Sequence, residues 1–88
     1  MGSYNVRFRP SVEKDLRKLP AAIVARVLER IDLLTFQPFP GGCGKLTSTE
    51  RLYRLRVRDY RIIYEVDSAE RLITVHYVRH RREVYRGL

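Results

Sequence analysis

Between residues 52 and 78 apolar and polar residues alternate in three successive runs, each cut off by a short polar reversal. Leu52 to Arg58 sets Tyr53, Leu55 and Val57 on one side. After Arg58-Asp59, the run from Tyr60 to Val66 does the same with Tyr60, Ile62, Tyr64 and Val66. After Asp67-Ser68-Ala69-Glu70, Leu72 to Val78 does so with Ile73, Val75 and Tyr77. A period of two places successive side chains on opposite faces of a strand. Reversals this short join antiparallel neighbours, because a parallel return needs a long crossover. The second half of the chain is therefore expected to be an antiparallel sheet with one apolar face.

The first half supplies what covers that face. Tyr4 to Arg9 alternates as a short strand with Tyr4, Val6 and Phe8 turned to the core. Pro10-Ser11 starts a helix, Pro suiting a first turn and Ser capping its free N–H groups. Val12, Leu16 and Leu19 form its apolar stripe, and Pro20 ends it and opens a second helix. From Ala21 to about Phe36, Ile23, Val27, Ile31 and Leu34 trace one stripe, widened by Val24 and Leu28. Gln37 to Gly42 breaks the pattern, and Arg79 to Leu88 is a basic tail with room for one helical turn. The expected order is β-α-α-β-β-β: an α+β chain whose antiparallel sheet carries a two-helix hairpin on one face. Residues 1–88 are expected to form a single domain.

The other face of the sheet carries charge. Arg54 and Arg56 alternate with Leu55 and Val57, Arg58 continues the row, and Arg61 lies opposite Tyr60 and Ile62. Both helices are committed to the apolar face, so these arginines are expected to converge with only Glu65 beside them. The whole chain carries 18 Lys and Arg against 10 Asp and Glu, a net charge of +8. All the basic residues but Lys14, Lys18 and Lys45 are Arg, whose planar fork grips phosphate at two points. The balance predicts a polyanionic partner, nucleic acid first. A lone Cys43 allows no intrachain disulfide and fits a reducing, cytoplasmic setting. No apolar run approaches the 18 or so residues a membrane span needs, so no membrane partner is expected. The two His and the scattered Asp and Glu lack metal-ligand spacing, so no metal and no cofactor is expected. Gly41-Gly42-Cys43-Gly44-Lys45 lacks the Ser/Thr of a phosphate loop and reads as a flexible connection.

Three stretches together resemble the RelE toxins of the RelE/ParE superfamily. These are Lys45-Leu46, then Tyr53 through Tyr64 with its Tyr-Arg-Ile-Ile-Tyr ending, then Val78 through Tyr85 with His-Arg-Arg-Glu-Val-Tyr. Phe8-Arg9-Pro10 and the Leu19-Pro20 break fit the same family. The resemblance implies a RelE-like, microbial-RNase-like fold. It implies a toxin of a type II toxin–antitoxin system that cleaves messenger RNA in the A site of the 70S ribosome. It also implies a small, acidic, RelB-like antitoxin as cognate partner. By motif, the family's catalytic positions fall on Arg54 and Arg56, where the best-known members have Lys, and on Arg61, Arg81 and Tyr85. Lys45, Arg51, Arg58, Arg79 and Arg82 are expected to hold RNA beside them.

Metal-free RNA cleavage needs a base for the 2′-OH, a clamp for the pentavalent phosphate and a proton for the leaving 5′-oxygen. Arginines suit the clamp. Their pKa, above about 12, makes them poor bases. Tyr85 is the first candidate base, because nearby Arg charges favour phenolate. His80 is the second and His76 the third. The expected products carry 2′,3′-cyclic phosphate or 3′-phosphate and 5′-OH ends. Two alternatives are a ParE-like inhibitor of DNA gyrase with no nuclease chemistry and a non-catalytic nucleic-acid-binding module.

Overall fold

The computed structural model describes residues 3–41, 43–45 and 52–82. Arg51 and Tyr85 lie outside the described residues. The chain runs β1 (Asn5–Phe8), α1 (Pro10–Arg17), α2 (Ala21–Leu34), β2 (Gly44–Lys45), β3 (Leu52–Val57), β4 (Tyr60–Asp67) and β5 (Leu72–His80). The strands form one sheet in the order β1-β5-β4-β3-β2. It is mostly antiparallel, as expected. The departures are at its edges: β1, an expected strand, lies parallel to β5, and Gly44-Lys45, read from sequence as a flexible connection, pairs with Arg54 and Tyr53 as an added two-residue strand.

The helical stripe works as its spacing dictates. Ile23, Val27, Ile31 and Leu34 of α2 are all buried, and with Val12 of α1 they close over Leu55, Val57, Ile62, Tyr64, Val66, Ile73, Val75 and Val78. Truncating a side chain as enclosed as Leu34 typically costs about 2–5 kcal/mol. The stripe is narrower than predicted, since Leu28 is exposed, and so is Phe8 at the end of β1. Phe8 is the last residue of β1 and lines an open groove beside α1 and α2. Ser11 does not cap α1 either. Arg9 is the N-cap, without a side-chain bond, and the Ser11 hydroxyl donates instead to the backbone carbonyl of His76, 2.7 Å away.

One local event changes the expected face of the last strand. Ile63 pairs with Tyr77 but Tyr64 pairs with Val75, so His76 is an extra residue in the β4–β5 ladder. Such a bulge shifts the alternation of everything beyond it. Tyr77, expected in the main core, packs with Ile63 and Leu52 on the other side of the sheet. Val78 takes the core place in its stead. The second face is therefore not wholly charged: Ile63, fully buried, sits at its centre.

Candidate nucleic-acid interface

The register of the three long strands sets the site. Directly opposed residues on neighbouring strands share a face. Arg56 of β3 opposes Arg61 of β4, and Arg61 opposes Arg79 of β5. Three arginines thus form one rung across three adjacent strands, which spans about 10 Å at ordinary strand spacing. Arg54 stands one rung away, opposite Ile63. Its guanidinium lies over Gly44 of β2: a Cβ at that glycine would come within 3.3 Å of Arg54 Nε. A residue with a Cβ at position 44 would make the Arg54 head give by a few tenths of an ångström.

The guanidinium groups are held by carbonyls rather than carboxylates. The Arg56 Nε and the Arg61 Nη1 both donate to the carbonyl of Arg58, each at 3.2 Å, and Arg61 Nη1 also donates to the carbonyl of Tyr60 at 3.0 Å. Arg58 makes this possible by turning the β3–β4 hairpin with φ 54°. That left-handed conformation costs a residue with a Cβ about 1–2 kcal/mol. The strain aims one carbonyl at two cations that would otherwise repel. The backbone N–H of Arg81 donates to the carbonyl of Asp59, 2.8 Å away, so the start of the tail is tied to the same turn. Arg56, Arg61 and Arg81 are thereby gathered at one end of the hairpin.

Elsewhere on this face, Arg79 is partly neutralised. Its Nε lies 3.7 Å from Asp15 Oδ2, and its guanidinium carbon sits 4.5 Å above the Tyr77 ring. Among the described residues, the ion pairs do not include Arg54, Arg56 or Arg61. Glu65, the acid expected to offset them, is engaged by His76, whose Nε2 lies 3.1 Å from Glu65 Oε1. His76, which alternation past core residue Val75 already sets on the arginine face, forms a histidine–carboxylate pair there. His80 is placed otherwise. It opposes Tyr60, packs edge-on against that ring at 5.5 Å between centroids, and takes the Arg82 N–H on Nδ1. Since Tyr60 packs on the main core, His80 lies on the helix side of the sheet, away from the arginine rung. Lys45, which opposes Tyr53, also lies on that side. Arg58 and Arg82 are exposed, at the hairpin turn and in the tail.

Two tyrosines are unsuited to proton transfer near neutrality. Burial, with Cys43 and Tyr53 beside it, holds the Tyr64 phenol well above its ordinary range. Its hydroxyl donates to the Pro38 carbonyl at 2.8 Å. Burial also pushes the Tyr77 phenol up, against the pull of the Arg79 charge. Among the described residues, no group of three His, Cys, Asp or Glu side chains could hold a metal ion. What the arrangement offers is a cationic cradle on a rigid sheet, with a histidine–glutamate pair on the same face.

Residues 6–85 match the family model described as the ParE toxin of type II toxin–antitoxin systems, parDE. The chain belongs to the RelE/ParE toxin family. The toxin RelG of Mycobacterium tuberculosis is 31% identical over 84 residues, covering 94% of this chain and 97% of that one. The RelE–RelB complex of the archaeon Pyrococcus horikoshii OT3 superposes with a TM-score of 0.80 at 36% identity, over 90% of this chain and 96% of the matched chain. The toxin–antitoxin complex RelBE2 of Mycobacterium tuberculosis does so with a TM-score of 0.76 at 30% identity, over 89% and 98%. This RelE/ParE protein is accordingly a toxin of a type II toxin–antitoxin system.

Three contributors to the toxin's site have roles that sequence did not assign. Gly44 gives room to Arg54, Asp15 takes up Arg79, and Glu65 holds His76. The last had a faint local signal, a lone acid on a basic face. The first two depend on pairings between distant segments and had none.

Proposed function

We propose that this toxin is a metal-independent endoribonuclease that cleaves messenger RNA, acting in the A site of the 70S ribosome and so inhibiting translation. The observation that carries the reading is the rung of Arg56, Arg61 and Arg79 with Arg54 beside it, a cluster in which no carboxylate pairs Arg54, Arg56 or Arg61 among the described residues. Like charges this close repel, and a phosphodiester, whose single negative charge is shared by two non-bridging oxygens, turns that repulsion into attraction. Arg54, Arg56, Arg61 and Arg81 hold the scissile phosphate. The 2′-oxygen loses its proton and attacks phosphorus in line, the bond from phosphorus to the 5′-oxygen breaks, and that oxygen leaves with a proton. One fragment ends in a 2′,3′-cyclic phosphate, which water opens to a 3′-phosphate, and the other begins with a 5′-OH. The arginine forks stabilise the extra negative charge of the pentavalent state, each donor contributing about 3–4 kcal/mol in comparable sites. Tyr85 is the proposed base. His76, on the arginine face, is better placed to substitute for it than His80.

The cognate antitoxin is proposed to be a small acidic RelB-like protein. The similarity to toxins solved as RelE–RelB complexes supports it, as does the net charge of +8. Exposed Phe8 and Leu28 line two adjoining grooves between β1, α1 and α2, a surface suited to the apolar side of an antitoxin helix. The test is product analysis. Incubation with ribosomes and message should give RNA fragments with cyclic-phosphate or 3′-phosphate ends. On isolated RNA, any cleavage should survive excess EDTA. Intact RNA together with gyrase-linked DNA breaks would replace this reading with the ParE-type one.

A further inference from the structure

β5 is the strand that delivers Arg79 and Arg81, and it has two kinds of neighbour along its outer edge. From Leu72 to Val75 that edge is paired with β1. Beyond Val75 the chain has left the sheet, and two side chains of α1 take over. Ser11 Oγ donates to the His76 carbonyl at 2.7 Å, and one turn later Asp15 Oδ2 accepts the Val78 N–H at 3.0 Å. Asp15 is the one buried polar or charged residue among the described residues, at 9% exposure. A spacing of four puts both groups on one side of the helix, which is what the edge requires. The same carboxylate oxygen faces Arg79 Nε at 3.7 Å. The first bond holds the bulge and the second holds the strand just past it, one residue before the arginine rung.

We propose that Ser11 and Asp15 form a clasp that positions the end of β5, and that Asp15 is a positioning residue for RNA cleavage. The clasp fixes Val78, Val78 fixes the Arg79 rung, and the strand end carries Arg81 to the Asp59 carbonyl. A buried carboxylate costs free energy that an apolar side chain would not, so its place calls for a demand that packing alone does not make. Holding an unpaired strand edge in register is that demand. This inference rests on the nuclease reading for its activity readout, but the clasp itself is visible without RNA.

The test compares Asp15→Ala, Asp15→Asn and Ser11→Ala in the full chain. Amide exchange followed by NMR should quicken at Val78 and Arg81 in Asp15→Ala by tenfold or more, with Ile62 and Tyr64 protected as in the wild type. The turnover number for RNA should fall at least tenfold in Asp15→Ala. Asp15→Asn, whose amide oxygen can still accept from Val78, should keep the turnover number within about threefold of wild type. Unchanged exchange at Arg81 in a folded Asp15→Ala overturns the clasp, and so does wild-type turnover. Equal loss in the Asn and Ala variants also overturns it, since charge and not the hydrogen bond would then matter. Should Asp15→Ala fail to fold, the Ser11→Ala variant decides: exchange at Arg81 must still quicken by threefold or more, or the proposal fails. If the wild type itself cleaves no RNA, the nuclease reading falls, and the exchange data alone judge the clasp.

Discussion

Removing Arg61 should separate stability from activity. In the fold, its guanidinium donates to the carbonyls of Arg58 and Tyr60, both at the end of a hairpin close to solvent. Such bonds contribute about 0.5–1.5 kcal/mol each, and water can replace the lost donor at an exposed carbonyl. Against that stands repulsion. Arg61 opposes Arg56 on one side and Arg79 on the other, and each like-charged cross-strand pair costs up to about 1 kcal/mol. The two effects nearly cancel, so Arg61→Ala should leave the unfolding free energy within about 1 kcal/mol of wild type by urea titration. At low salt, where repulsion is least screened, the variant should gain relative to wild type. In the proposed reaction the same residue is a preorganised donor to the pentavalent phosphate, and its loss should slow cleavage about 100-fold or more. The assay pairs urea denaturation at two ionic strengths with cleavage of end-labelled RNA. A stability loss above about 2 kcal/mol would mean that Arg61 is a structural residue. Cleavage within threefold of wild type would remove it from the site.

Gly44→Val should displace the Arg54 guanidinium and weaken RNA binding several-fold with little change in thermal stability; unchanged affinity by fluorescence anisotropy would show that Arg54 is not held there. Tyr64 makes stability fall in alkali: its phenol is held above the ordinary range in the fold, so its contribution is intact below about pH 10 and is lost as pH rises past the unfolded-state value. Urea midpoints from pH 8 to 11 should show that decline in the wild type and a weaker one in Tyr64→Phe, and parallel curves would refute it. Antitoxin association should slow markedly between low and high salt in stopped-flow mixing, because charge steers the encounter; a rate indifferent to ionic strength would rule out an acidic partner for this surface.

What sequence could reveal here was whatever depended on near neighbours. The α2 stripe and the alternation of β3 and β4 follow from periods of 3.6 and two, and both faces came out as those periods require. Arg54, Arg56 and Arg61 were likewise legible as one face, because a strand repeats over two residues. The assignment of Tyr77 to the core failed because the bulge at His76 shows only in the pairing with β4, and nothing in Leu72 to Val78 announces it. Ser11 has the composition of a helix cap but spends its hydroxyl on a carbonyl 65 positions away. His80 looked close to the arginines in sequence, yet one step along a strand is the opposite face. The charge cluster was legible, then, while the groups that orient it were not.

The extra residue at His76 gives β5 two grammars. Before it, core residues fall on odd positions, Ile73 and Val75; after it, on an even one, Val78. A mutation on one side of His76 is therefore judged by rules that would misjudge its counterpart on the other, so that an apolar substitution at Thr74 and one at Tyr77 meet the same face of the sheet. Deleting His76 would shorten the strand by a single residue and leave a regular ladder, at the cost of the His76–Glu65 pair. Keeping His76 but pairing it in line would instead turn Tyr77 toward the helices, drive Val78 outward and rotate Arg79 off the rung it shares with Arg61. A descendant of this chain can therefore shed the bulge by losing the residue, whereas one that keeps all nine residues of β5 and flattens the bulge must rewrite the whole end of the strand at once.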